Sequence, residues 1–271
     1  MKEVTIKSAG LTVFWTSGRS SLGPLKSALS EAGLGDFVPK KRTISQAAKA
    51  VAASQAKVIG GRNTSIFPLK DANGFECVHI EGGDKSNKYV QDFYMVIDDT
   101  RITECGGDIL PDWRLNPMLS EELGIVDGSA IGSALVGYAR HLSGICLRKN
   151  GGLYWIPEAH AKEWSDAASI FEDKSNSQIM VGRLEASASS IKAICNAFFE
   201  EVDAAIEEVE SDIADENVRQ FRYYENRLKQ GKQLREKAAL ISGELSINVE
   251  NIEEKLNSFC DRLAIMAAVA A

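Results

Sequence analysis

The rhythm of apolar and polar positions along this chain changes near residue 183. Before it, short stretches alternate with a period of two and are punctuated by Gly, Asn, Asp and Pro. After it, apolar residues recur every three or four positions, with no Pro or Gly between Arg183 and Gln230. Alternation puts every second side chain on one face of a strand, and three–four spacing puts them on one stripe of a helix. The pattern predicts an α+β protein. An N-terminal mixed α/β domain with antiparallel β-hairpins spans 1–182, and a long α-helical hairpin or coiled-coil-like domain spans 183–271.

Within the first part, Val4–Lys7 and Leu11–Thr16 read as short strands around Ala9-Gly10. Ser20 or Ser21 caps a helix that ends at Gly33, and Ser45 opens a second, alanine-rich helix to about residue 55, stopped by Gly60-Gly61. Asn73-Gly74 lies between the apolar runs Ser65–Lys70 and Phe75–Ile80, a strong hairpin signal because a type I′ turn needs positive φ at both central positions. A second hairpin joins Tyr89–Ile97 to Arg101–Cys105 through Asp98-Asp99-Thr100, so 65–105 reads as an antiparallel meander. Gly106–Pro117 reads as irregular, and Ser120 opens a helical region to about Leu142. A third hairpin, Ile145–Arg148 with Leu153–Ile156, turns at Asn150-Gly151-Gly152. A helix then starts at Pro157 and runs to Phe171, Lys174–Gln178 is a polar loop, and Ile179–Leu184 is one more strand.

In the helical part, Leu184, Ala188, Ile191, Cys195, Phe198, Val202, Ala205 and Val209 form one heptad seam. Ile241, Leu245, Val249, Ile252, Leu256, Phe259, Leu263 and Met266 form a second. Charge is segregated along the same stretch. Nine acidic residues and no basic one lie between Lys192 and Arg219, followed by Arg219, Arg222, Arg227, Lys229, Lys232, Arg235 and Lys237. If the chain turns near Ala214–Asn217, the two blocks run antiparallel and attract along their flanks. If it does not, a rod over 188–241 is about 80 Å long and its uncovered seam needs a second chain. Unequal seams favour self-association, most simply a dimer, with Phe198, Val202, Leu256 and Phe259 at the contact.

Composition adds bounds rather than a function. Hydrophobic content of 44% and charged content of 25% are ordinary for a globular chain of 271 residues. A net charge of −7 argues against wholesale wrapping of nucleic acid or anionic membrane, though not against a local basic patch. Five widely spaced cysteines, an odd number without a CxxC pair, suit reduced thiols in a cytoplasmic protein. The start MKEVTIKSAG lacks the apolar run of a signal peptide, and no stretch has the length of a membrane span, so no membrane partner is expected.

Candidate chemistry is sparse. Asp98 and Asp99, with Glu104, Asp108 and Asp112 downstream, form the densest acidic group before the helical part and could hold Mg²⁺ for phosphoryl transfer. Asp-Asp-Thr-Arg is equally what a hairpin turn needs. His79, His141 and His160 have no ligand spacing, no phosphate-binding glycine motif occurs, and neither metal nor cofactor is expected. The remaining signal is basic. Lys40, Lys41 and Arg42 precede the second helix and Arg62 follows it, in the helix–turn–helix–hairpin order of a winged nucleic-acid reader. Arg219, Arg222, Arg227 and Lys229 could extend such a surface. The leading expectation is a non-enzymatic assembly or adaptor subunit that self-associates through its C-terminal helices and binds a protein partner. The alternative is a nucleic-acid-binding accessory protein using 40–42 and 219–237. A metal-dependent phosphoryl-transfer enzyme using Asp98 and Asp99 stands third.

Overall fold

The computed structural model describes residues 8–59, 64–81, 88–148, 152–214, 221–247 and 250–269. In chain order its elements are β1 (Ser8–Ser17), β2 (Ser20–Ser21), α1 (Leu22–Glu31), α2 (Ile44–Ile59), β3 (Thr64–Pro68), β4 (Gly74–Glu81), β5 (Lys88–Ile97), β6 (Ile102–Gly107), α3 (Asp112–Leu123), β7 (Ile125–Val126), α4 (Gly128–His141), β8 (Ile145–Cys146), β9 (Tyr154–Ile156), α5 (Ala161–Lys174), β10 (Ser177–Glu185), α6 (Ala188–Ala214), α7 (Phe221–Leu245) and α8 (Glu250–Val269). The protein is α+β, with its strand-rich part first and its long helices last. None of the described helices is long and apolar enough to cross a membrane.

By internal contacts the chain forms two units, Met1–Thr16 with Leu135–Ser169 and Gln178–Ala271, and Ser17–Ala134 with Ile170–Ser177. The long helices thus share a unit with strands β1, β8, β9 and β10, so these units follow different lines from the change of chain character at 182/183.

In the unit built on Ser17–Ala134, the meander expected over 65–105 forms the sheet β3-β4-β5-β6, antiparallel throughout. Its inner face carries Phe75, Cys77, Phe93 and Met95, buried against Ala47, Ala48, Val51 and Ala52 of α2 and Leu115 and Leu119 of α3. Small residues on α2 let it lie close on the sheet. That helix starts in a reciprocal capping box: the Thr43 N–H donates to Gln46 Oε1 at 2.9 Å and the Gln46 N–H to Thr43 Oγ1 at 3.2 Å. The first hairpin is present with a wider turn than expected. Leu69 N–H donates to the Gly74 carbonyl, and Gly74 is already a strand residue. A Cβ there would stand 2.1 Å from the Met95 carbonyl oxygen, so glycine serves the approach of β4 to β5 rather than a left-handed turn.

The stretch read as irregular up to Pro117 is in part helix. Pro111 is the N-cap of α3 and Pro117 lies inside it. The amide that Pro117 lacks would have bonded near exposed Trp113, where water can satisfy the carbonyl. Lys174–Gln178 is not an open loop either. The Gly18 N–H donates to the Asn176 carbonyl at 2.7 Å, the Asn176 N–H to Ser20 Oγ at 2.8 Å, and its side-chain amide to the Arg19 carbonyl at 2.6 Å. The strand Val4–Lys7, the stop at Gly60-Gly61 and the turn residues Asn150 and Gly151 lie outside the described residues.

In the other unit the strand order is β10-β1-β9-β8. Leu11 pairs with Ile156 and Val13 with Tyr154. Gly10 has φ 110°, and a Cβ on it would stand 2.3 Å from the Ile156 carbonyl oxygen, so the strands approach there only with glycine. Trp15, half-buried, stacks on Tyr154 at 5.2 Å and lies 5.8 Å from Trp164, and the latter two are buried in the core.

Helices α6, α7 and α8 close on one another and on this sheet. Ile194, Phe198, Val202 and Ala205 of α6 share a core with Leu234, Ala238, Ile241 and Leu245 of α7, Ile252 and Leu256 of α8, and Ile145 and Trp155 of the sheet. The buried stripe of α6 runs through Ile194 rather than through Cys195 and Ile191 as expected. The second expected seam belongs to two helices: Ile241 and Leu245 end α7, and Ile252 to Met266 lie on α8, after Ser246 turns the chain at φ 54°. Glu244 on α7 receives the N–H groups of Glu158 and Ala159, at 3.0 and 2.9 Å, at the start of the 3₁₀ turn before α5.

Candidate interaction site

The segregated charges of the helical part are paired along the bundle. Lys237 on α7 donates to both carboxylate oxygens of Glu201 at 2.8 and 2.9 Å, and Arg227 pairs with Glu208. Pairs 36 and 19 residues apart along the two chain directions set α6 and α7 antiparallel. Lys255 to Asp203 and Arg262 to Glu210 are each 52 residues apart, which sets α8 parallel to α6. The antiparallel arrangement that attracts acidic and basic blocks is thus made within one chain.

This placement corrects two sets of expected contact residues. Phe198 and Leu256 are fully buried, and Val202 and Phe259 nearly so, under the chain's own helices. They are core, and a second copy could meet only other positions, such as exposed Phe199 on α6 and Ile265 on α8. Among the basic residues, Arg227 is taken by Glu208 and lies over the Tyr223 ring at 5.3 Å. Arg222 and Lys229 are exposed, and Arg219 lies outside the described residues.

The basic trio before α2 divides in the same way. Lys40 and Lys41 are exposed, but Arg42 is 7% exposed. Its Nε donates to Asp127 Oδ2 at 2.8 Å, and its other nitrogens reach Asp127 and Glu122. Arg19 also meets Glu122. The Arg42 guanidinium holds the Asp127 carboxyl below its ordinary pKa, and the Asp127 hydrogen bond raises that of Arg42. A guanidinium locked between two carboxylates is a structural tie and no phosphate contact. Arg62 lies outside the described residues.

Asp98 performs the turn role. Its Oδ1 accepts the N–H groups of Thr100 and Arg101 at 2.7 and 2.8 Å and the Thr100 hydroxyl at 2.9 Å. These bonds hold its carboxyl below the usual range, backbone donors first. Asp99 is exposed beside it, and Glu104 is engaged by the Tyr94 hydroxyl at 2.8 Å. His79 is buried on the inner face of β4, with Nδ1 2.8 Å from Asp92 and Nε2 3.3 Å from Glu81. Burial pushes the Cys77 thiol up, aided by Asp92, so it is a packed thiol rather than an activated one. Among the described residues no group of three His, Cys, Asp or Glu could hold a metal ion.

Two surfaces of the meander remain, neither singled out by the sequence. Its outer face, opposite α2 and α3, carries Phe67, Ile80 and Tyr89, at 44%, 48% and 65% exposure, with Ile80 and Tyr89 direct partners in the ladder. Alternation on β4 places Ile80 opposite to Phe75 and Cys77, but on β5 it would place Tyr89 with Phe93 and Met95; the register shift that skips Asp92 is what turns Tyr89 to the outer face. The second is a groove of about 490 Å³ along β6, lined by Thr103, Glu104, Cys105, Gly106, Gly107 and the turn into α3.

The strand-rich part, with one sheet face open, and the helical bundle, with its charges paired within the chain, place the protein in the α+β class. Residues 119–271, more than half of the chain, match the model described as "Family of unknown function (DUF6744)", and the chain belongs to that family. No curated protein and no solved structure matches it.

Proposed function

We propose that this chain is a non-enzymatic adaptor that binds a protein partner through the outer face of the β3–β6 sheet. The observation that carries the reading is the exposure of the ladder partners Ile80 and Tyr89, with Phe67 further along the same face opposite Glu76, on a face that neither α2 nor α3 covers. Exposed apolar side chains in water favour contact, because covering them releases roughly 25 cal/mol per Å². The polar residues among them are Glu76, Gln91 and Glu104, an arrangement suited to a protein and opposed to a phosphate backbone. The helical bundle serves as the scaffold, and five free, well-separated cysteines suit a reducing, cytoplasmic setting.

The test is a photo-crosslinking amino acid placed at Tyr89 in the full chain in its native cell, against the same group at exposed Lys162. A discrete protein adduct at Tyr89, absent at Lys162, is the expected result, and equal or absent adducts overturn the reading. Exposed Lys40 and Lys41 favour the nucleic-acid alternative. That alternative gains if salt-dependent retention on a phosphate matrix is lost in Lys40→Glu/Lys41→Glu.

A further inference from the structure

The β6 groove carries a more specific proposal, which rests on the adaptor reading. β6 ends its sheet, so alternate backbone N–H and C=O groups point away from β5. Proteins usually obstruct such an edge, and this one is obstructed at its start. The Asn116 side chain accepts the Ile102 N–H at 2.8 Å and donates to the Ile102 carbonyl at 3.0 Å, imitating one step of a neighbouring strand. The groove begins directly after that step and follows Thr103–Gly107, with Ile109, Pro111 and Asp112 as its other wall. Side chains do not obstruct it. Gly106 and Gly107 have none, and the Cys105 thiol is turned to the Leu110 carbonyl at 3.6 Å. Gly106 lies under the Tyr94 ring, which a Cβ would meet at 2.6 Å, and Gly107 has φ 88°. The glycines are therefore demanded by the fold, and they leave this stretch of edge free of side chains; the Gly107 carbonyl accepts the Ile109 N–H at 3.0 Å, which leaves its N–H and the Cys105 main chain for a partner.

The lining also has a sign. Glu104 and Asp112 line the groove, Asp108 adjoins it, and among the described residues no basic one lines it. The arginines nearest in sequence are engaged, Arg101 with Asp98 at 3.8 Å and Arg114 over the Trp113 ring at 4.8 Å. A second copy pairing β6 to β6 would bring these carboxylates against one another, which opposes that occupant.

We propose that the free edge of β6 docks an extended, lysine- or arginine-bearing segment of a protein partner, which adds to the sheet as a fifth strand. Five residues of strand, about 17 Å, fit the edge between Thr103 and Gly107. Main-chain bonds to the edge supply affinity, and Glu104 and Asp112 select basic side chains.

The probe is the fluorescein-labelled heptapeptide Lys-Val-Lys-Thr-Lys-Val-Lys, titrated against the full chain by anisotropy, with amide exchange read by NMR. One control peptide replaces every Lys by Glu, and another replaces the central Thr by Pro, which removes a ladder donor without altering the protein. The expected result is saturable binding of the Lys peptide with slowed exchange at Cys105 and Gly107. Binding should be about tenfold weaker for the Pro peptide and for Glu104→Lys/Asp112→Lys, and lost for the Glu peptide. Equal binding of the Pro peptide, or an unaffected double variant, or protection away from 103–107 overturns the proposal. No binding of the Lys peptide also overturns it, while an adduct at Tyr89 would leave the adaptor reading standing.

Discussion

Arg42 stands in a basic trio whose other members, Lys40 and Lys41, face solvent. Its environment is set by carboxylates 80 and 85 residues away, Glu122 and Asp127. The pairing has a pH signature. Asp127 ionises below its ordinary value of 3.8 in the folded chain, so its contribution is complete above that value and is lost as pH falls through the folded pKa. Asp127→Asn should lower stability by about 1 kcal/mol near neutrality, allowing for the residue's partial exposure. The gap between wild type and variant should close as denaturation is repeated at progressively lower pH. A gap that is constant down to strong acid would show that the carboxylate charge is not what stabilises the tie. The Arg42 pairing could not be read from 40–42, because sequence shows a charge without the partner that consumes it.

At the scale of elements, local signals differ in how much they reveal. The hairpins at 64–81 and 88–107 follow from alternation, which the backbone obeys whatever surrounds it. The start of α2 was present as Thr43-x-x-Gln46, a capping box two residues before the expected Ser45. For α3 the prolines misled: Pro111 precedes the helix, and Pro117 is tolerated where its missing donor costs little. On α6 the expected seam is buried from Phe198 through Val202, Ala205 and Val209, and differs only at its start, where Ile194 rather than Cys195 is buried because neighbouring apolar residues competed and the partner helices chose. Phe198 decides between core and contact surface. Phe198→Ala should cost about 3–5 kcal/mol of stability, read by denaturant titration, with the mass by light scattering unchanged. A changed mass at preserved stability would return Phe198 to an interface.

At the scale of the whole molecule, the chain passes between its two units at 16/17, 134/135, 169/170 and 177/178. The last passage falls within Lys174–Gln178, the segment that looks in sequence like a polar boundary loop. There the Asn176 backbone and side chain are held by Gly18, Ser20 and Arg19. Trypsin should therefore cut after exposed Lys40 or Lys41 before it cuts after Lys174, measured by mass spectrometry of early fragments. Cleavage at Lys174 ahead of both would mean that these hydrogen bonds do not hold the segment.

The sequence by itself determined the α+β class, the meander, the third hairpin and the long C-terminal helices, because periods of two and of three to four are properties of the local backbone. It also determined that opposite charges lie in successive blocks, which attract most when antiparallel, within one chain or between two. Only the tertiary structure decided that the blocks meet within one chain, that β1 lies between β10 and β9, and which carboxylates consume Arg42. Those outcomes depend on contacts between residues far apart in sequence. The open face and the bare edge of the meander belong with them, since exposure is defined by what the rest of the chain leaves uncovered.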